Sequence, residues 1–453
     1  MEAFWIAFVV CALSCALVVR TFARHSRFTA DSHSGPQKLH AVAVPRVGGL
    51  PILLGLLCGA LVMRLVPGAG AAGSLIMLLL LAALPAFGSG LIEDLTKRVS
   101  PRMRLACTAV SAALGMALLG ARIVGNDVAW LDALLQFAPL AVAVTLFAVA
   151  GVCNAMNIID GFNGLASGCA LLMLSALAWV AFAVGDTALG SVAVMAIGAV
   201  LGFMIWNFPH GHIVLGDGGA YLLGFLVVEL ALLLVLRNPS VSPVLPLLIC
   251  AYPVMETLFS IARRLRGGLV GAFLPDGLHL HSLIYRRLTR AGLGAGREPS
   301  AALRNARTSP YLWLLCALSV LPGAVAWSNS LVLMSFALIF IGVYLGLYQD
   351  IVRFRTPQVL RAGVHKLRNS PGADEGVPEL VQEAPQVHAL APASPVNAEA
   401  VSHKLVAALR ARGPKDLALE HKAAQRLLEG VVAGRQSAMG REVPRRRPQL
   451  EDA

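Results

Sequence analysis

The sequence predicts an all-α polytopic membrane protein with about eleven transmembrane helices, and three observations carry that prediction. Of 453 residues, 57% are hydrophobic and 14% charged, with a mean hydropathy of +0.72. That leaves too little polar surface to cover a water-soluble chain. Many of the apolar runs approach or reach the roughly 20 residues that a helix needs to cross a bilayer. They are rich in Gly and Ala and lack the alternation of barrel strands. The eight cysteines lie in or at the ends of these runs and form no C-x-x-C pair, which argues against a disulfide framework or a zinc site.

The first run, residues 3–19, has no basic stretch before it and no small-residue cleavage site after it. With Arg20, Arg24 and Arg27 following, it reads as an anchor and not a removable signal. Further spans are expected at 47–66, 73–92, 103–121, 132–153, 164–184, 187–206, 213–236, 243–262, 310–327 and 329–348. The connections alternate in charge. Residues 20–46, 93–102, 263–309 and 349 onward are rich in Lys and Arg, whereas those near 67–72, 122–131, 184–187, 237–242 and 328 are short and nearly uncharged. The positive-inside rule then places the N-terminus outside and the C-terminus in the cytoplasm. Every polar motif below falls on the cytoplasmic side.

The net charge of +12 is not a nucleic-acid signal. Residues 356–453 hold 14 of the 37 Lys and Arg and 11 of the 25 Asp and Glu, so most of the excess sits in the membrane part, concentrated in its short loops. The chain therefore divides into an integral membrane domain, 1–355, and a weakly ordered cytoplasmic tail, 356–453. The tail has linker-like P-G-A-D-E-G and A-P-A-S-P-V-N segments, short amphipathic stretches at 398–411 and 415–433, and no catalytic pattern.

Polar residues interrupt the apolar chain at five places. N-A-M-N-I-I-D-G-F-N-G-L-A-S-G spaces Asn154, Asn157 and Asp160 three apart, so on a helical turn they share a face. G-L-I-E-D-L-T-K ends a span with Glu93 and Asp94 and places Lys97 about one turn on. The acidic pair is open to two readings, a solvated helix end or a site for Mg2+ or a base. G-D-G-G sets Asp217 among glycines at a span start, as a turn or as a hard-metal ligand. P-D-G-L-H-L-H brings His279 and His281 close to Arg286, Arg287 and Arg290, which suits a phosphate better than zinc. P-Q-K-L-H-A-V-A-V-P-R supplies Lys38, His40 and Arg46 just before a span. Glu256, about two turns from Arg263, either faces the cavity or pairs internally. With neither a Walker loop nor a Rossmann fingerprint, this set implies metal-assisted chemistry on phosphates at a membrane surface.

The series K-x-H-x-x-x-x-P-R-x-G-G, E-D-x-x-x-x-x-S-P-R-x-R-L, N-A-x-N-x-x-D-G-x-N-G-L-A, G-D-G-G and P-D-x-x-H-x-H resembles the polyprenyl-phosphate N-acetylhexosamine-1-phosphate transferases, glycosyltransferase family 4. The likeness is to the bacterial branch that starts O-antigen and related polysaccharides, and it covers about residues 1–355 in order. It implies an enzyme of the bacterial inner membrane that transfers N-acetylhexosamine 1-phosphate, expected to be N-acetylglucosamine 1-phosphate, from a UDP-sugar to undecaprenyl phosphate. The reaction releases UMP and uses Mg2+, with Mn2+ as a substitute. Asp94 is then the expected base with Glu93 beside it, and Asp217 and Asp94 the metal ligands. Asn157, Asp160 and Lys97 are expected to hold the uridine nucleotide. His279 and His281 are expected to position the phosphates, and Lys38, His40, Arg46, Asn154 and Asn163 are further expected substrate-binding residues. A homodimer is compatible with the sequence.

Three positions depart from the family pattern. Glu93 stands where Asp is usual, Asn163 where an acid is common, and Ala220 where a small hydroxyl residue often follows G-D-x-G. The alternative from another class is a transporter or flippase for a phosphorylated lipid or sugar. It predicts paired broken helices in two repeated halves, which the sequence does not display. A CDP-alcohol phosphatidyltransferase predicts D-G-x-x-A-R, where this chain has D-G-F-N-G-L.

Overall fold

The computed structural model describes residues 1–29, 43–266, 278–292 and 301–353, and the expected tail lies outside them. Helices α1 (Glu2–Arg20), α2 (Phe22–Thr29), α3 (Gly49–Leu65), α4 (Gly70–Thr96) and α5 (Pro101–Leu119) are followed by a short α6 (Ala129–Leu135). Then come α7 (Ala138–Ile159), α8 (Leu165–Ala183), α9 (Thr187–Asn207) and α10 (Gly216–Arg237). The described chain closes with α11 (Leu245–Ile249), α12 (Ala251–Arg266), α13 (Leu280–Gly292), α14 (Ala301–Ala306), α15 (Ser309–Val325) and α16 (Ser330–Val352).

Nine of the eleven expected spans coincide with helices long and apolar enough to cross a membrane among the described residues. The expected span at 47–66 is the 17-residue α3. The one at 243–262 is divided at Cys250 into α11 and α12. Pro246 and Pro253 each sit in the first turn of one of these helices, where a missing N–H costs little. The fifth span runs at 138–159 and not at 132–153. Pro139 starts it, and the apolar Ala129–Leu135 segment that looked like its beginning is a separate helix.

Helix α10 is the axis of the bundle, packed by α4, α7, α8 and α3 and buried from Gly216 to Leu234. A helix apolar on every side belongs in such a position. Its first turn is made for close approach. A Cβ at Gly90 on α4 would stand 2.4 Å from the Gly218 nitrogen, and one at Gly49 on α3 would stand 2.4 Å from that of Gly219. Glycines thus let three backbones meet at one end of α10, as small residues do between membrane helices.

Candidate active site

The site is built around the N-terminus of α10. Two backbone segments align there. Gly48 and Gly49 donate to the carbonyls of Val214 and Leu215 at 3.0 and 2.9 Å, and Val214 donates to Pro45 O at 2.9 Å. This pairing brings Arg46 beside the first turn of α10. Gly216 has φ +77°, and a Cβ there would lie 2.6 Å from Asp94 Oδ2, so the turn needs glycine twice over.

Asp94, in the last turn of α4, closes the end of α10. Its Oδ1 and Oδ2 accept the N–H groups of Asp217 and Gly218, each at 3.0 Å. These are donors that a helix start leaves unsatisfied, and the carboxylate also meets the positive end of the helix dipole. Arg46 Nε lies 3.1 Å from Asp94 Oδ1, and another Arg46 nitrogen donates to Asp217 Oδ1. Arg104, from the first turn of α5, donates to Asp217 Oδ2. Asp94 and Asp217 are 1% and 2% exposed, so these partners offset a desolvation cost of several kcal/mol per ion. Arg104 was not among the expected site residues. Its position in S-P-R-x-R-L was the available signal.

Asp160 follows the last residue of α7, just outside the membrane-spanning segment, and is half-buried. Burial pushes its carboxyl up to about 7. Arg46 and the Gly216 backbone N–H oppose the rise, and Asp217 and Asp94 add to it. Asp94, Asp160 and Asp217 therefore share one electrostatic neighbourhood with Arg46.

The other expected residues divide by position. Glu93 Oε2 accepts the Val99 N–H at 2.8 Å and so shapes the turn after α4. Lys97 ends that helix in the left-handed conformation, φ 56°, and its Nζ donates to Asp94 O at 2.8 Å. Asn154 and Asn157 share the last turns of α7 as the three-residue spacing predicts, and both are half-buried. The Asn154 amide donates to Thr108 Oγ1 on α5 at 3.2 Å and to Ala150 O at 2.8 Å.

Asn163 is 2% exposed and anchors its loop. Its side chain donates to Pro209 O at 3.0 Å, its N–H donates to Asn305 Oδ1 at 2.7 Å, and its carbonyl accepts from Ser309 Oγ at 2.6 Å. Gly164 continues the clamp, donating to Asn207 Oδ1 at 2.6 Å and accepting from Trp313 Nε1 at 3.0 Å.

His279 and His281 stack with ring centroids 5.1 Å apart and 8° between planes. His281 meets Phe162 edge-on at 5.5 Å, which brings the pair beside the Asp160–Gly161 turn. Arg287 donates to Ile351 O at 2.6 Å, at the end of α16. Lys38 and His40 lie outside the described residues, as do 267–277 of the connection before the histidines.

Among the described residues no three His, Cys, Asp or Glu form a metal-binding group. Mg2+ needs fewer, because it takes one or two carboxylates and completes its shell with water and phosphate oxygens. Asp94 and Asp217, two buried carboxylates bridged by one guanidinium, fit a hard divalent cation that replaces an arginine contact.

Residues 76–235 match the model described as glycosyl transferase family 4. That segment contains every expected residue from Glu93 to Asp217. The chain is 28% identical over 283 residues to a probable undecaprenyl-phosphate N-acetylglucosaminyl 1-phosphate transferase of Bacillus subtilis, an alignment covering 61% of this chain and 75% of the relative. It is 33% identical over 153 residues to the undecaprenyl-phosphate alpha-N-acetylglucosaminyl 1-phosphate transferase of Escherichia coli K12, covering 33% of this chain and 41% of that one. A decaprenyl-phosphate N-acetylglucosaminephosphotransferase of Mycobacterium tuberculosis is 29% identical over 290 residues, or 56% of this chain and 69% of the relative. The match to the Escherichia coli relative thus spans less than half of its length.

Proposed function

This chain belongs to glycosyl transferase family 4, and on that premise we propose that it transfers N-acetylglucosamine 1-phosphate from UDP-N-acetylglucosamine to undecaprenyl phosphate. UMP is the leaving product. The observation that carries the proposal is the cluster of Asp94, Asp217, Arg46 and Arg104 at one end of the central helix of a membrane bundle. A lipid-borne phosphate and a soluble nucleotide meet at such a place, and transfer between them needs charge neutralisation and alignment above all.

Asp217 and Asp94 would hold Mg2+, which when bound supplies a positive centre for the phosphate oxygens. Arg46 and Arg104, displaced from Asp217, are then placed to pair with phosphate, for which a guanidinium is suited. Asp94 takes the part of the base toward the acceptor phosphate. Both of its oxygens are engaged by backbone N–H groups and Arg46, so it accepts a proton only once Arg46 moves. Asn157 and Asp160 hold the nucleotide beside this pair, with Lys97, Lys38 and His40 as further phosphate contacts.

The proposed location is the bacterial inner membrane, with the site on the cytoplasmic face, the N-terminus outside and the C-terminus inside. The product suits the first step of O-antigen or related surface polysaccharide synthesis. The test supplies membranes carrying the full chain with undecaprenyl phosphate, Mg2+ and a panel of labelled UDP-N-acetylhexosamines. Formation of a lipid-linked pyrophosphoryl sugar together with UMP is expected, and EDTA abolishes it.

A further inference from the structure

Helix α9 ends at Asn207 and α10 begins at Gly216, and both are long and apolar enough to cross a membrane. The turn between them, residues 208–215, therefore lies at the level of lipid headgroups. Trp206 and the 58% exposed Ile205, in the last turn of α9, suit that depth. The turn carries H-G-H, with His210 and His212 both exposed. Their rings stack with centroids 5.6 Å apart and 20° between planes, and Trp206 meets His212 edge-on at 6.4 Å. Neither imidazole hydrogen-bonds to a described residue, so each keeps its nitrogens for a ligand.

The turn is tied down on both sides. The buried Asn207 side chain accepts the Gly164 N–H at 2.6 Å and donates to Ile213 O at 2.8 Å. Gly211 donates to Asn207 O at 2.8 Å and His212 to Trp206 O at 2.9 Å through their backbone N–H groups. Gly211 has φ +66°, and a Cβ there would stand 2.7 Å from the Asn163 carboxamide. Glycine thus lets the histidines stand on either side of a turn pressed against the loop that follows Asp160. Beyond His212, the Val214 N–H pairs with Pro45 O, next to Arg46. The segments that hold the turn are those that carry Asp160 and Arg46.

Two ring N–H donors on one fixed turn suit an anion with several acceptor oxygens. Zinc asks for three or four protein ligands, and among the described residues no third His, Cys, Asp or Glu completes such a group. The anions found at headgroup depth are lipid phosphates. A terminal monoester offers three free oxygens and a phospholipid diester two, so a two-donor site favours the monoester.

We propose that His210 and His212 form a docking site for the phosphate monoester of a lipid, where the acceptor is held at the membrane surface before its phosphate reaches Asp94 and Asp217. The identity of the acceptor rests on the proposed transfer reaction. The site itself rests on the histidine pair and its place at the end of two spans.

The experiment titrates the purified full chain, in detergent micelles, with undecaprenyl phosphate, undecaprenol or phosphatidylglycerol. His210→Ala/His212→Ala removes two exposed rings, so its melting midpoint should stay within a few degrees of the parent. It is expected to bind undecaprenyl phosphate about tenfold more weakly and undecaprenol, which lacks the phosphate, as the parent does. His210→Ala/His212→Arg restores a phosphate donor and is expected to recover part of the loss. In the transferase assay, the double alanine variant should raise KM for undecaprenyl phosphate about tenfold and KM for the UDP-sugar less than twofold.

Binding of undecaprenyl phosphate within twofold of the parent in the double alanine variant overturns the inference. An equal loss for undecaprenol does so too, because it places the defect in the lipid chain or the fold. Phosphatidylglycerol that the parent binds as tightly as undecaprenyl phosphate, and the variant loses, overturns the monoester assignment in favour of bulk anionic lipid. The expected binding losses, with no UMP release by the parent from any donor, support the docking site and contradict the transfer reading. UMP release with KM for undecaprenyl phosphate unchanged in the variant does the reverse.

Discussion

Asp94 closes the helix that carries Asp217, its two carboxylate oxygens accepting the Asp217 and Gly218 N–H groups at 3.0 Å each. The same carboxylate that lies beside the proposed metal ligand therefore also fixes where that ligand's helix begins. Asp94→Asn keeps one acceptor and should cost about 1–3 kcal/mol of stability through an unsatisfied N–H and the lost charge. Asp94→Ala removes both acceptors and should cost more. Both should abolish UMP release. Thermal melting of the purified variants, alongside the transferase assay, separates the two effects.

Arg104 and Asp217 are 113 residues apart in sequence and form an ion pair in which the carboxylate is buried and the guanidinium partly so. Arg104→Met leaves Asp217 with Arg46 and should destabilise the protein by about 2 kcal/mol. Because a bound cation competes with the guanidinium for Asp217, added Mg2+ should raise the melting midpoint of Arg104→Met by more than that of the parent. Equal shifts would argue that Mg2+ does not bind at Asp217.

The spans were legible in the sequence because bilayer thickness demands long apolar runs, and Asp94 and Asp217 because carboxylates are costly among them. The partnerships were not. Asn163 is expected at the substrate from its motif, and the motif does not show that its side-chain amide donates to Pro209 O or that its backbone is tied to Asn305 and Ser309, more than 140 residues away. Asn154 likewise spends its amide on Thr108 and Ala150. The expected start of α7 falls six residues early because the segment before it is mostly apolar despite Asp132, and Pro139 marks the start of the helix. Short-range patterns reveal which residues are polar in an apolar setting, but they do not reveal which of them the fold satisfies internally.

Asp160 gives the account a pH dependence. Its carboxyl is raised in the folded chain to about 7, mainly by burial. A raised acid stabilises the fold fully below its unfolded value near 4 and loses that contribution as pH climbs through 7. With EDTA present, the melting midpoint of the parent should fall between pH 5 and 8 by more than that of Asp160→Asn, which lacks the titrating group. Parallel curves would mean that Asp160 is not held in a desolvated setting.

The central claim, that Asp217 at the head of the buried helix is where sugar-phosphate transfer is organised, is tested most directly by UMP release. Membranes carrying the parent or Asp217→Asn are given undecaprenyl phosphate, Mg2+ and labelled UDP-N-acetylglucosamine. The parent should form the lipid-linked sugar and UMP, and Asp217→Asn should lose at least about a hundredfold in rate, the scale of losing one electrostatic element of a transfer site. Failure of the parent to release UMP from any UDP-N-acetylhexosamine, or turnover by Asp217→Asn within a few-fold of the parent, would contradict it.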